Sequence, residues 1–169
     1  VVMNSGCYGS DISKIVLSIS IIDMNGEIKI INNKDINFSY RHTSLTKNQI
    51  ITNIEMKGSF LEKQKILEIM NNLKNKKDTD QPQKIKTGGS TFKNPKNSDK
   101  KAWQLIKESG CADLRVGGIK LSNLHCNFLE NLDKATSEDA ETLIENIKKE
   151  VFKKTNINLE LELEVVGKR

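Results

Sequence analysis

The chain has 169 residues, of which 36% are hydrophobic and 29% charged, with a formal net charge of +5 at pH 7. That is enough sequence to bury one core, or one complete domain and part of another, and the composition is that of a soluble globular protein; no apolar run approaches the roughly 20 residues that cross a bilayer, so a membrane role is not expected. Eleven lysines against five acidic residues between Leu61 and Lys101 account for the positive surplus, but the aromatic residues are scattered and do not interleave with basic ones, which argues against a nucleic-acid partner.

The amino-terminal residues Val1 to Gly9 show no basic start, apolar stretch or small-residue cleavage site, so no signal peptide is expected. Cys7, Cys111 and Cys126 are too few for a disulfide framework and form no Cys-x-x-Cys pair. A reducing, cytoplasmic location without structural zinc is the expectation.

From Lys14 to Ile22 the residues alternate as a strand, with Ile15, Leu17, Ile19 and Ile21 on one face and Val16, Ser18, Ser20 and Ile22 on the other. Asn25-Gly26 supplies a two-residue hairpin turn, residues 27–31 return as the partner strand, and 50–57 reads as a third. Ser59 with Glu62 resembles a capping box for a helix over 60–76, whose Ile66, Ile69, Met70 and Leu73 recur at helical spacing. Residues 77–87, polar and carrying Pro82, read as a loop. A domain boundary is placed near Gly58, giving regions 1–58 and 59–169.

Residues 101–108 predict a short helix closed by Gly110, with Trp103, Leu105 and Ile106 available for packing. A longer helix is capped by Thr136 or Ser137 and carries an apolar stripe of Leu143, Ile144, Ile147 and Val151. Leu159 to Val165 alternates apolar and acidic residues over a full strand. Helices and strands mix without regular alternation, so the fold class is α+β.

The densest chemical signal is Lys86-Thr87-Gly88-Gly89-Ser90-Thr91-Phe92-Lys93-Asn94-Pro95. Paired glycines allow a tight turn, two hydroxyls follow, and Lys93 and Asn94 add a cation and an amide, a set suited to a polar or phosphorylated ligand. It matches neither the phosphate loop nor the Gly-x-Gly-x-x-Gly fingerprint. A plain surface turn with an adventitious lysine has the same local chemistry.

Gly-Gly-Ser-Thr-Phe-Lys-Asn-Pro resembles the signature of the UDP-N-acetylenolpyruvoylglucosamine reductase (MurB) family. Met3-Asn4-Ser5-Gly6-Cys7-Tyr8-Gly9 is similar to that family's flavin segment, and Phe38-Ser39-Tyr40-Arg41-His42-Thr43 to its Tyr-Arg-x-Ser segment, with Thr43 in place of the serine. Val116-Gly117-Gly118 followed by Leu121-Ser122-Asn123-Leu124-His125-Cys126-Asn127-Phe128 resembles its Gly-Gly…Ser-x-x-His-x-x-Phe segment. Because these pieces occur in the family's order, the resemblance spans nearly the whole chain.

The resemblance implies an α+β remnant of a flavin-binding domain over 1–58 and a substrate-binding α+β domain over 59–169. It also implies a cytoplasmic oxidoreductase of peptidoglycan synthesis that uses NADPH and FAD to reduce UDP-N-acetylglucosamine enolpyruvate to UDP-N-acetylmuramate. In the family pattern Ser90 is the proton donor, and Arg41 and Glu162 are the other two catalytic groups. Asn4, Gly6, Tyr8 and Gly9 lie along the flavin, and Lys93 and Asn94 on the nucleotide side of the substrate. A serine hydroxyl acts as an acid only toward a strongly basic intermediate held within hydrogen-bond reach. Arg41 suits a carboxylate that gains charge, and Glu162 orients the substrate or polarises the same carboxylate.

By local chemistry alone Arg41 is no better placed than Arg115, and Glu162 no better than Glu160 or Glu164; spacing to Gly167 selects Glu162. His125 reads as a structural hydrogen-bonding histidine and Cys126 as a small buried side chain, with no metal site implied. The family's flavin pyrophosphate loop precedes the Met-Asn-x-Gly segment, so the 169-residue chain by itself is expected to bind FAD weakly or not at all and to lack reductase activity. A separate polypeptide with the flavin half is one partner that would complete it. The alternative function is a noncatalytic UDP-sugar-binding fragment.

Overall fold

Tyr8 and Gly9 both take positive φ, +52° and +82°, as a two-residue hairpin turn matched to strand twist requires. They join β1 (Gly6–Cys7) to β2 (Ser10–Asp11). This computed structural model describes residues 1–167. The chain divides into two compact units, Val1–Glu62 and the residues from Lys63 onward.

In the first unit β3 (Val16–Asp23) is the central strand of an antiparallel sheet, between β4 (Ile28–Asn32) and β7 (Gln49–Met56). A short hairpin, β5 (Phe38–Ser39) and β6 (His42–Thr43), lies between β4 and β7 in sequence. The three long strands fall where alternation and Asn25-Gly26 put them, but the faces do not. Val16, Ile19 and Ile21 are buried together with Ile36, while Ile15 and Leu17 are 43% and 39% exposed. The cause is a break in register: Val16 pairs with Met56 and Ser18 with Glu55, so Leu17 is an extra residue. One extra residue in a period-two pattern exchanges inside for outside on one side of the bulge.

In the second unit α1 (Lys63–Asp80) starts three residues later than expected and runs four further. Ser59 and Glu62 both precede it, so the expected capping box does not form at its start. No residue of α1 is buried, and Ile66, Ile69, Met70 and Leu73 are exposed. Good helix formers such as Lys, Gln, Leu, Glu and Met account for the helix locally.

The core of this unit forms between α2 (Ala102–Glu108), a three-stranded sheet of β8 (Arg115–Val116), β9 (Ile119–Leu121) and β10 (Leu129–Asn131), and α3 (Ser137–Thr155). Leu105 and Ile106 of α2 are buried in it, whereas Trp103 remains exposed. Gly110, at φ +73°, ends α2: its N–H donates to Lys107 C=O at 3.0 Å and Cys111 N–H to Ile106 C=O at 3.1 Å, the double bond of a Schellman close. α3 opens on a reciprocal cap, Asp139 N–H to Thr136 Oγ1 at 3.1 Å and Thr136 N–H to Asp139 Oδ2 at 2.9 Å. Its buried residues are Leu143, Ile144, Ile147 and Val151, the stripe read from the sequence.

The expected carboxyl-terminal strand over 159–165 shortens to one bridge, Leu161 opposite Phe92. Leu159 is buried, and Leu161 and Leu163 pack against the core, so the alternation is real. The ladder cannot lengthen because its partner is bounded by the Gly88-Gly89 turn and by Pro95, which has no N–H to donate.

His125 organises the loop before β10. Phe128 N–H donates to its C=O at 3.0 Å and Asn127 N–H to its Nδ1 at 3.3 Å. Its ring meets Phe128 edge-on at 4.9 Å and lies 6.1 Å from Trp103. Burial pushes its pKa below the ordinary imidazole value, against smaller raising effects of its own backbone hydrogen bond and Asp80. The neutral ring is also the form that leaves Nδ1 free to accept.

Two predictions follow from this packing. Ile147→Ala should cost about 2–5 kcal/mol in urea unfolding, whereas Leu73→Ala on α1 should stay within about 0.5 kcal/mol. The depressed His125 pKa means that the unfolded chain takes up the proton first as pH falls. Its contribution is thus complete above the ordinary value of 6.5 and is lost below it. Thermal scans between neutral and mildly acidic pH should show a decline that is smaller in His125→Gln.

Candidate functional site

Gly89, at φ +90°, and Gly88, where a Cβ would stand 3.0 Å from Leu163 Cδ2, allow the chain to turn tightly beneath the carboxyl-terminal segment. Beyond that turn Ser90 forms an antiparallel bridge with Phe128. The next two residues have both backbone groups bonded, Thr91 to either side and Phe92 to Asn127 alone. Thr91 N–H donates to Asn127 C=O at 2.8 Å, and Thr91 C=O accepts from Glu162 N–H at 2.9 Å. Phe92 N–H donates to Asn127 Oδ1 at 3.0 Å, and Phe92 C=O accepts from Asn127 Nδ2 at 2.9 Å. Lys93 N–H then donates to Glu160 C=O at 2.8 Å.

This ladder brings Ser90 and Glu162 onto neighbouring segments, both half-buried. Among the three acids of the terminal segment, Glu160 and Glu164 are exposed and Glu162 is not. Thr91 is fully buried, with no hydrogen-bond partner for its hydroxyl among the described residues. Lys93 is half-buried and Asn94 exposed.

Asn94 has a structural role that its motif did not foretell. Its Oδ1 accepts from Ala102 N–H at 3.0 Å, while Gln104 Oε1 accepts from Lys101 N–H at 2.8 Å. Together they satisfy donors at the start of α2 that have no partner within the helix. Any ligand contact of Asn94 is therefore made by a side chain whose oxygen already holds a helix end.

The other expected residues belong to the first unit. Asn4 is buried at φ +40°, its Nδ2 donating to Ser39 C=O at 3.1 Å and its Oδ1 accepting from Ser13 N–H at 3.2 Å. Arg41 is at φ +53°, donates from Nη2 to Gly6 C=O at 3.2 Å, and has its guanidinium 5.0 Å from the Tyr40 ring centroid. Thr43, buried, donates its hydroxyl to Val2 C=O at 3.0 Å. Two segments far apart in sequence, 2–6 and 39–43, are thus joined. Tyr8 is exposed at the tip of the β1–β2 turn, and around Gly9 no atom lies within 4 Å of where a Cβ would stand. At Gly6, by contrast, a Cβ would meet Asp11 Cβ and Ser10 O at 2.6 Å. The rival cation Arg115 donates from Nε to Gly117 C=O at 3.0 Å, within its own loop.

Asn127 and Thr43 carry contacts for which the sequence suggested no role. The signal at Asn127 was a polar residue inside the apolar run Cys126–Leu129. Cys126 is buried as expected, its thiol donating to Trp103 C=O at 3.1 Å.

Residues 81–166 match the family model described as UDP-N-acetylenolpyruvoylglucosamine reductase, C-terminal domain. A UDP-N-acetylenolpyruvoylglucosamine reductase of Pelagibacter ubique is 42% identical over 97% of this chain and 55% of the relative. One of Rickettsia massiliae is 39% identical over 99% of this chain and 56% of the relative. The crystal structure of UDP-N-acetylenolpyruvylglucosamine reductase (MurB) from Thermus caldophilus is similar with a TM-score of 0.83 and 28% identity, covering 96% of this chain and 57% of that one. The chain spans a little over half the length of the relatives it matches. With half of its residues matching the family model, the chain belongs to the UDP-N-acetylenolpyruvoylglucosamine reductase family.

Proposed function

We propose that this chain supplies groups for the flavin- and NADPH-dependent reduction of UDP-N-acetylglucosamine enolpyruvate to UDP-N-acetylmuramate, a cytoplasmic step of peptidoglycan synthesis. The observation that carries the reading is the ladder that joins the Ser90 segment to the Glu162 segment, Thr91 C=O accepting from Glu162 N–H at 2.9 Å. A hydroxyl and a carboxylate on segments joined by backbone hydrogen bonds are suited to proton delivery at one carbon and to orientation of the attached carboxylate. Residues 1–58 are read as flavin-binding and 59–169 as substrate-binding.

In this reading Ser90 delivers the proton from Oγ, and Glu162 orients the substrate. Arg41, always cationic, offsets charge on the substrate carboxylate. Lys93 and Asn94 take the nucleotide, Lys93 as a cation toward phosphate and Asn94 through its Nδ2.

The β1–β2 turn is read as flavin-binding: Tyr8 is exposed at its tip, and a Cβ at Gly9 would meet nothing within 4 Å. Asn4 is bonded internally by both ends of its side chain and Gly6 is closed in by Asp11, so these two shape the turn that Tyr8 and Gly9 present. When bound, the flavin supplies the hydride that originates in NADPH.

A second reading, UDP-sugar binding without reduction, draws on the second unit's own core and on its set of Ser90, Lys93, Asn94 and Glu162. Calorimetry with UDP-N-acetylglucosamine enolpyruvate, combined with a visible spectrum after FAD addition, separates the two. Sugar binding with a stoichiometric flavin spectrum supports the reductase role. Sugar binding with none supports the second reading, and no sugar binding sinks both.

Asn94→Asp gives a sharper check. The introduced carboxylate keeps an acceptor for Ala102 N–H but removes the amide donor and adds negative charge. Affinity for the UDP sugar should fall by about tenfold or more with the melting temperature nearly unchanged. Unaltered affinity would remove Asn94 from the binding set.

A further inference from the structure

Asn127 is buried within an otherwise apolar run, and a buried carboxamide is tolerated where its polar atoms are bonded. Here both side-chain bonds and that of the backbone carbonyl go to one place. Oδ1 accepts from Phe92 N–H at 3.0 Å, Nδ2 donates to Phe92 C=O at 2.9 Å, and the backbone carbonyl oxygen accepts from Thr91 N–H at 2.8 Å. One residue thus fixes the three successive peptide groups from Ser90–Thr91 to Phe92–Lys93. The amide orientation is dictated as well, since a flipped group would set donor against donor and acceptor against acceptor.

A carboxamide has the shape and polarity of a peptide group. After the Ser90–Phe128 bridge the backbone bends into the His125–Phe128 turn and cannot continue the ladder. The Asn127 side chain takes over, extending the pairing by two bonds. On the opposite side the last two of these peptides hold Glu162 and Glu160 through their backbone groups.

We propose that Asn127 is the positioning residue of this site: it holds Thr91 and Phe92, and with them the neighbouring Ser90, against the segment that carries Glu162, and it fixes the path of the backbone into Lys93 and Asn94. This rests on the function proposed above for the identity of the reacting groups, while the positioning itself rests on the three hydrogen bonds. No other natural side chain supplies the same acceptor and donor at this length. Aspartate keeps the acceptor but, when ionised, has no donor for Phe92 C=O, and leucine has neither.

Amide hydrogen exchange on the 169-residue protein tests it. In the unaltered protein the Phe92 and Glu162 amides should exchange as slowly as that of Ile147 in the core helix; exchange as fast as at exposed Asn97 overturns the proposal without any variant. In Asn127→Asp the Phe92 and Glu162 amides should speed up by about tenfold relative to Ile147. Val151→Ala, a core change of comparable melting loss, should move all three alike. Uniform acceleration in Asn127→Asp overturns the proposal.

Calorimetry with UDP-N-acetylglucosamine enolpyruvate separates this failure from failure of the functional reading. Where the unaltered protein binds, Asn127→Asp should weaken affinity by about tenfold and Val151→Ala should leave it unchanged. Equal affinity in all three overturns the positioning role. If the unaltered protein does not bind, the functional reading falls, and hydrogen exchange alone decides the positioning.

Discussion

A short stretch of backbone that is hydrogen-bonded on both sides organises the second unit around the proposed site. From Thr91 N–H to Lys93 N–H every backbone donor and acceptor has a partner, supplied by Asn127 on one side and by Glu160 and Glu162 on the other. Each bond contributes modestly by itself, but leaving one buried group unpaired costs about 1–3 kcal/mol. The segment therefore has one low-energy path. Ser90 before it and Asn94 after it inherit a fixed place, which is what the roles proposed for them require.

The first unit reaches a similar end by different means. Its amino-terminal segment forms only a two-residue ladder with β2, and side chains tie it to the β5–β6 hairpin: Asn4 to Ser39, Arg41 to Gly6 and Thr43 to Val2. Polar side chains thus do here what strands do elsewhere. The arrangement leaves Tyr8 and Gly9 outward while the residues behind them are bonded internally. Arg41 belongs to this local framework as well as to the proposed chemistry.

What was legible in the sequence was whatever depends on local periodicity. The α3 stripe and its cap were readable because 3.6-residue spacing and an N-terminal threonine act within one helix. The sheet's strands were readable too, yet their inward face was not: the extra residue at Leu17 is fixed by pairing with Met56 and Glu55, which alternation cannot reveal. The apolar positions of α1 formed a helix without burial, because periodicity specifies a face and not what covers it. At the site, Ser90 and Glu162 were marked by motif and spacing. The ladder that joins their segments, and the part taken by Asn127, come from contacts across 35 positions or more in sequence.

Arg41 holds φ +53°, a conformation that costs a residue with a Cβ about 1–3 kcal/mol and glycine very little. A hairpin tip selected only for ease of folding would carry glycine or asparagine there. The arginine instead spans from the Tyr40 ring to the Gly6 carbonyl. At this tip, stability and side-chain chemistry pull in opposite directions, and substitutions that relax the turn remove the guanidinium with the same stroke.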